Sequence, residues 1–195
     1  PVDATTPAGS DERPGPATSG VIIGAIWIAA VGASLAAVTY RAFDLDRFFV
    51  PKEMALHTGA LIAVVALAAR RGPRATSRSD VALAAWLALS FLSALFATNG
   101  WNAGRALSLS ASAAALFWGA RALCESGGAR RAVIAIGAAV TLAAASSLAQ
   151  AYGISFDVFA TNRAPGGTLG NRNFIAHVAA MGLPLLLWLS ATARS

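Results

Sequence analysis

Residues 132–152 read AVIAIGAAVTLAAASSLAQAY, a stretch without a single charged side chain. A helix rises about 1.5 Å per residue, so a run of this length can cross the hydrocarbon core of a bilayer, about 30 Å thick. The apolar character is continuous rather than alternating, which argues against a strand of a membrane β-barrel. In lipid only a helix satisfies its own backbone hydrogen bonds within one segment. The stretch therefore predicts a membrane-spanning helix.

Five similar runs flank this one, and the composition of the whole chain agrees with them. The chain has 195 residues, of which 56% are hydrophobic and 12% charged, whereas a soluble domain carries roughly 25% charged residues. The sequence predicts an all-α, polytopic transmembrane bundle over residues 20–195, preceded by a disordered cytoplasmic tail at 1–19 that is rich in Pro, Gly and Ser. The predicted spans are about 20–40, 53–69, 81–97, 104–123, 132–152 and 174–192.

Two arginine-rich links predict the orientation of the bundle. They read RRGPRATSRSD (70–80) and RALCESGGARR (121–131), and they fall on the same side if all six segments span. Short arginine-rich loops stay in the cytoplasm, so the N-terminus is expected there too. Because loop placement accounts for the net charge of +6, it is no sign of nucleic-acid binding. We expect membrane lipids and no nucleic acid as partners, and the single Cys124 excludes an intramolecular disulfide.

Six cations fall on the predicted outer side, where orientation statistics disfavour them. They could pair with nearby carboxylates such as Glu53, extend their ends toward the interface, or bind an anionic ligand. The sequence leaves these alternatives open. His57, one turn after Glu53 in a span, is expected to be bonded to a neighbour. The six cations are Arg41, Arg47, Lys52, Arg105, Arg163 and Arg172.

The segment GGTLGNRNF (166–174) carries a pattern that a plain connector lacks. Its glycines allow a ligand to approach the backbone, and its asparagines predict a helix cap at Asn171 to Asn173. A helix N-terminus beside Arg172 attracts anions. A capped helix after a glycine-rich loop, with no ligand, is the alternative.

The longer segment RAPGGTLGNRNFIAHVAAMGLPLLL (163–187) resembles the start of the conserved region in the O-antigen ligase/polymerase family of bacterial polysaccharide membrane proteins. FDLDRFFVPKEMAL (43–56) is similar to the first outward loop and second span of that family. Arg172 departs from the pattern, because the family often has proline between the two asparagines. The matching residues are Arg163, Gly167, Thr168, Gly170, Asn171, Asn173, Phe174, Ala176 and Pro184.

The resemblance implies a metal-independent glycosyltransferase of the bacterial inner membrane that needs no cofactor. It would transfer a glycan from an undecaprenyl diphosphate carrier to lipid A–core or another glycan acceptor. Family members have about ten to twelve spans, so the chain is expected to be the N-terminal half of such a protein and inactive alone, with the catalytic residues elsewhere. The resemblance implies diphosphate binding by Arg163, Arg172, Lys52 and Arg105.

Three alternatives to an O-antigen ligase remain at this point, and the third is a structural membrane subunit that anchors partners. The first is an O-antigen polymerase of the same family, which shares these motifs. The second is a small-solute membrane transporter, for which an internal repeat or charged groups at mid-membrane would be expected. We find no convincing repeat between the first and last three spans, and the polar residues gather at the outer edge.

Overall fold

The computed structural model describes residues 16–37, 46–69, 76–159 and 164–193. Within these ranges lie six α-helices, all of them long and apolar enough to cross a membrane. The predicted all-α transmembrane fold is therefore confirmed, and the chain is a multi-pass membrane protein. The helices are α1 (Pro16–Leu35), α2 (Asp46–Ala68), α3 (Arg78–Leu95), α4 (Gly100–Glu125), α5 (Ala129–Ala151) and α6 (Arg172–Thr192).

Helix α1 corrects the predicted boundary of the tail. It begins at Pro16, so residues 16–19, which were predicted to be disordered, are helical. Proline suits the first turn of a helix, where its missing N–H would have no partner anyway. Ser19 is buried, and its hydroxyl donates to Ser126 Oγ at 3.2 Å. Residues 1–15 of the predicted tail lie outside the described residues.

The other end of α1 lies at Leu35, five residues before the predicted end of the first span. Two carbonyls at this end accept side-chain hydrogen bonds: Thr168 Oγ1 donates to Ser34 O at 2.8 Å, and Lys52 Nζ donates to Ala36 O. The last carbonyls of a helix need such partners. These two bonds give carbonyls at the end of α1 partners that the apolar run alone did not reveal.

Helix α2 begins at Asp46, well before the predicted position 53, and it continues through Pro51. The reason lies in its first turn, where Phe48 is buried and the Phe49 ring packs edge-on against Phe174 with centroids 6.2 Å apart. This packing stabilises helical backbone ahead of the proline, which removes one backbone donor but is tolerated near a helix start.

Helices α3 and α4 also begin earlier than predicted, and each has a side-chain cap, whereas α5 begins early, at Ala129, without one. At α3, Ser77 and Asp80 form a capping box in which each side chain accepts from the other residue's backbone N–H. At α4, Asn99 Oδ1 accepts from the N–H of Asn102 at 3.0 Å. The polar capping residues lie outside the apolar runs, which is why hydropathy alone placed both starts too late.

Helix α1 occupies the middle of the bundle and packs against α2, α4 and α5, whereas α3 packs on α4 and α6 on α5. Glycines bring α1 and α2 together: a Cβ at Gly59 would lie 2.6 Å from the carbonyl oxygen of Ala25 and 2.7 Å from Ala29 Cβ. Small residues allow this close approach in lipid, where dispersion contacts drive helix association. The core is formed mainly by Ile22, Ile26, Leu67, Leu123 and Ala135.

The contacts define two opposite ends of the bundle. We call one the loop end; it holds the ends of α1, α3 and α5 and the starts of α2, α4 and α6. The other is the Asp80 end, where α3 starts and α4 finishes. Each predicted outward cation that the structure describes with its side chain is at the loop end, and these are Lys52, Arg105 and Arg172.

Candidate functional site at the loop end

Glycines set the shape of the segment that leads into α6. Gly167 and Gly170 have φ of +50° and +71°, in the left-handed region that other residues rarely adopt. A Cβ at Gly166 would lie 2.7 Å from the carbonyl carbon of Gly170 and 2.8 Å from Asn171 Cα. The segment is therefore folded tightly on itself, and side chains at these positions would not fit.

The segment docks on the last turns of α5 through hydrogen bonds. Gln150 Oε1 accepts from the backbone N–H groups of Gly166 and Gly167, at 2.8 and 2.9 Å. Ser146 Oγ accepts from the N–H of Thr168 at 3.1 Å. These three N–H groups are thus bonded within the protein. An anion bound beside residues 166–168 would therefore be held by side chains rather than by these backbone N–H groups.

Thr168 and Gly170 connect the segment to two more helices. Thr168 is buried and donates its hydroxyl to Ser34 O at the end of α1. A Cβ on Gly170 would lie 3.0 Å from ring atoms of Phe48 in α2. Three helices therefore contact this segment, and we call residues 166–172, at the start of α6, the platform.

The cap of α6 lies where the sequence places it. Asn171 is the N-cap residue; it is buried, and its Oδ1 accepts from the N–H of Asn173 at 3.0 Å. Asn173 contributes its backbone to the cap, and its side chain lies on the exposed surface. Arg172, between them, is the exposed first residue of the helix. The platform thus presents a guanidinium beside the positive end of the α6 dipole.

Lys52 is half-buried and points at the end of α1. Its ammonium donates to Ala36 O and lies 5.9 Å from the centre of the Phe48 ring. Both contacts stabilise the cation, one through a carbonyl at the negative end of a helix and one through an aromatic face. Lys52 therefore has a structural role in tying α2 to α1, whatever else it binds.

Arg105 reaches from α4 to a carboxylate on α2. Its Nε lies 2.9 and 2.8 Å from the two carboxylate oxygens of Glu53, and its second terminal nitrogen lies 2.7 Å from Oε1. The pair is partly open, since the side chains keep 36% and 20% of their exposure. Of the alternatives that the sequence left open for Arg105, the structure displays the carboxylate pair.

A groove of about 640 Å³ opens beside this pair, between the first turns of α2 and α4. Its walls include Val50, Trp101, Gly104 and Ser108. A volume of this size falls in the range of small-molecule sites, about 300–1,000 Å³. The groove adds a concave surface to the end of the bundle that carries the platform.

The two histidines differ in their surroundings. His57 Nδ1 lies 2.7 Å from the hydroxyl of Ser112, which is buried in α4. This confirms the prediction that His57 is bonded to a neighbour. His177 lies on the exposed face of α6. Neither residue is assigned a catalytic role.

Several predicted site residues fall where the structure gives no description. Arg41 and Arg163 lie outside the described residues, and the side chain of Arg47 is outside them too. Diphosphate binding by Arg163 therefore remains a prediction from the resemblance. Of the four residues predicted to bind diphosphate, the structure gathers Lys52, Arg105 and Arg172 at one end of the bundle.

Sequence reasoning missed the partners that hold the platform. Gln150, Ser146 and Ser147 lie in an alanine-rich span and looked like ordinary small or polar residues; Ser147 Oγ donates to Pro165 O at 2.9 Å. One available signal was the cluster of three polar residues in the last two turns of an otherwise apolar helix. Buried polar groups in lipid are costly unless bonded, so such a cluster predicts a partner.

Comparisons with known proteins yield no relative of this chain: no protein-family model matches it, and no curated protein and no solved structure is significantly similar. The resemblance to the O-antigen ligase/polymerase family thus rests on the two quoted segments and stays a prediction.

Proposed function

We propose that the chain provides the carrier-binding end of an O-antigen ligase-like glycosyltransferase in the bacterial inner membrane. The enzyme would transfer a glycan from undecaprenyl diphosphate to lipid A–core or another acceptor. The observation that carries the proposal is the platform at the start of α6, which displays Arg172 at a helix N-terminus. The motif resemblance gives the anion its proposed identity.

The chemistry of glycan transfer explains why a guanidinium would be needed here. As the bond between the sugar and the diphosphate breaks, negative charge grows on the departing diphosphate oxygen. A cation and a helix dipole fixed in advance stabilise that charge without having to reorganise. Arg172 is a cation at such a helix N-terminus, and bonds to α5 and α1 hold the preceding residues Gly167 and Thr168.

The three described cations would contribute differently to this site. Arg172 is exposed and is the main candidate for direct contact with the diphosphate. Lys52 donates to Ala36 O, and Arg105 is bound by Glu53. Lys52 would add its positive charge to the site, whereas Arg105, whose charge is compensated by Glu53, would shape it. Arg163 is retained as a further diphosphate ligand on the resemblance alone.

The first test measures carrier binding by the purified chain in lipid nanodiscs. Undecaprenyl diphosphate, undecaprenyl monophosphate and undecaprenol are titrated in parallel. We expect the diphosphate to bind tightest, and Arg172→Ala to weaken its binding about tenfold or more, because hydrogen bonds to charged groups are worth about 1.5–3 kcal/mol.

Arg78→Ala is the matched control, since Arg78 is also the exposed first residue of a helix but lies at the Asp80 end. It should leave the affinity unchanged. Equal affinity for the three lipids, or equal effects of the two substitutions, would contradict the proposal.

A cellular test separates the ligase from its alternatives. With Arg172→Ala introduced in the encoding bacterium, a ligase defect leaves polymer on the carrier, whereas a polymerase defect leaves single repeat units on lipid A–core. Normal surface glycan together with loss of solute flux in proteoliposomes would instead favour a transporter.

A further inference from the structure

The groove between α2 and α4 has a chemistry of its own, distinct from that of the Arg172 platform. Its lining includes the Glu53–Arg105 pair, in which a guanidinium nitrogen and a carboxylate oxygen lie 2.7 Å apart. Because the two charges compensate each other, the pair offers a bare anion little net attraction. It does place guanidinium donors beside carboxylate acceptors, and both side chains are partly open.

An exposed indole also lines this groove. Trp101 is 82% exposed and lies in the first turn of α4, next to Gly100 and Gly104. A Cβ at either glycine would meet no atom within 4 Å, so the wall is open at both positions. Ser108, one turn further along α4 and exposed, lines the same wall, and its hydroxyl donates to Arg105 O at 2.8 Å.

These features together select a particular class of ligand. A sugar hydroxyl both donates and accepts, so it can use a carboxylate and a guanidinium side by side. The C–H face of a sugar ring is apolar and stacks on an indole, and an amphipathic tryptophan is suited to the membrane interface. A neutral, hydroxyl-rich ring can bind to all three features: the paired charges, the exposed indole and the open wall at the two glycines.

We infer that the groove is a saccharide-binding site that receives a sugar unit of a glycan at the membrane surface. Glu53 and Arg105 bind ring hydroxyls, and Trp101 stacks on the ring. The inference rests on the proposed function for one point, that the sugar belongs to a lipid-linked substrate. The chemistry of the groove itself depends on the residues named above.

Two probes distinguish a lipid-attached sugar from a free one. Lipopolysaccharide core oligosaccharide, freed of lipid, and the same core still attached to lipid A are each titrated into the full chain in nanodiscs. Saturable binding of either probe supports a saccharide site. Tighter binding of the lipid-attached form assigns the groove to a glycolipid, whereas equal affinities assign it to the soluble glycan.

Substitutions in the groove locate the binding. We expect Trp101→Ala to weaken binding about tenfold, through loss of stacking and buried area. Trp188→Ala, which removes an exposed indole from α6, should have no effect. Glu53→Gln should also weaken binding, since it removes the charged acceptor.

A filled groove gives an independent test that avoids any loss of contacts within the fold. Gly104→Leu places a side chain in the open space of the groove. Gly20→Leu is the control: it places the same side chain in open space on α1 at the Asp80 end, away from the groove. The first should reduce binding at least tenfold while the second should not. Absence of saturable binding to both probes, or equal effects of the groove variants and their controls, overturns the inference.

The outcomes for the groove and for the carrier site are separable. If undecaprenyl diphosphate binds through Arg172 but neither saccharide probe binds, the groove assignment fails and the proposed function stands. If the saccharides bind through Trp101 but the carrier does not bind, the proposed function fails and the saccharide site stands.

Discussion

The two ends of the bundle use similar polar residues in opposite ways. At the Asp80 end, Asp80 accepts from Trp118 Nε1 at 3.1 Å and pairs with Arg121, which also donates to Ser77 Oγ at 2.7 Å. These contacts close on one another and join α3 to α4. At the loop end, Glu53 and Arg105 form a similar pair, but the polar contacts of the platform leave Arg172 exposed.

The difference shows that a charge near a membrane boundary can hold helices together or remain exposed. The sequence predicts opposite sides of the membrane for Arg121 and Arg172, but it does not reveal which of the two pairs with a carboxylate. What separates them is the neighbouring helix: Arg121 has the Asp80 carboxylate within reach, while Arg172 is the exposed first residue of a helix whose Asn173 N–H is capped by Asn171.

Gly166→Ala should have the largest effect, because it tests whether the platform is rigid. The new methyl group would collide with backbone of Gly170 and Asn171, which has no flexible side chain to move aside. We expect a loss of about 3 kcal/mol or more in stability, in the range of severe backbone conflicts. The loss of stability is measured by heating the protein in detergent and determining, by size-exclusion chromatography, the fraction that stays folded at each temperature.

The matched control is Gly24→Ala in α1, where a Cβ meets no atom within 4 Å. It should be neutral or slightly stabilising, because alanine is the better helix former. A Gly166 variant as stable as this control would show that the platform is not closely packed.

Asp80→Ala should have the next largest effect, because it removes the residue that joins α3 to α4 at the Asp80 end. Trp118 and Arg121 lose a shared acceptor, and α3 loses half of its capping box. We expect faster hydrogen exchange along α3 at 78–95, which packs on α4 and has no buried residue.

Arg78→Ala again serves as control, because Arg78 is exposed at the start of the same helix. Unchanged exchange in α3 of the Asp80 variant would show that lipid-facing packing, rather than the polar network, holds that helix.

Thr168→Val should have the smallest effect of the three. It keeps the shape of the side chain but removes the hydroxyl that donates to Ser34 O, so a carbonyl at the end of α1 loses its partner. We expect a loss of about 1–2 kcal/mol in the free energy of unfolding, again measured by thermal unfolding.

Thr141→Val is a suitable control, since Thr141 is exposed and donates only within its own helix, to Gly137 O at 2.9 Å. That carbonyl also serves the helix ladder, so the loss should be close to zero. Equal effects at the two positions would mean that the contact between the platform and α1 adds nothing to stability.

The amino-acid sequence determined the membrane-spanning architecture and the start of the last helix. Uncharged runs such as 132–152 must be helical in lipid, because backbone groups there have no water to bind. Asn171 caps α6 because its short side chain reaches a nearby backbone N–H, an interaction within three residues. Both conclusions depend on local chemistry, which a linear sequence displays.

The partners of the polar residues depend on tertiary packing, which brings together residues that are far apart in the sequence. Glu53 and Arg105 are 52 positions apart, and Thr168 lies 134 positions from Ser34. Helices that are apolar on all sides carry little periodic signal about which face meets which neighbour. The pairing of faces follows from close packing of glycine and alanine surfaces, and it determines that Arg105 meets a carboxylate while Arg172 remains exposed.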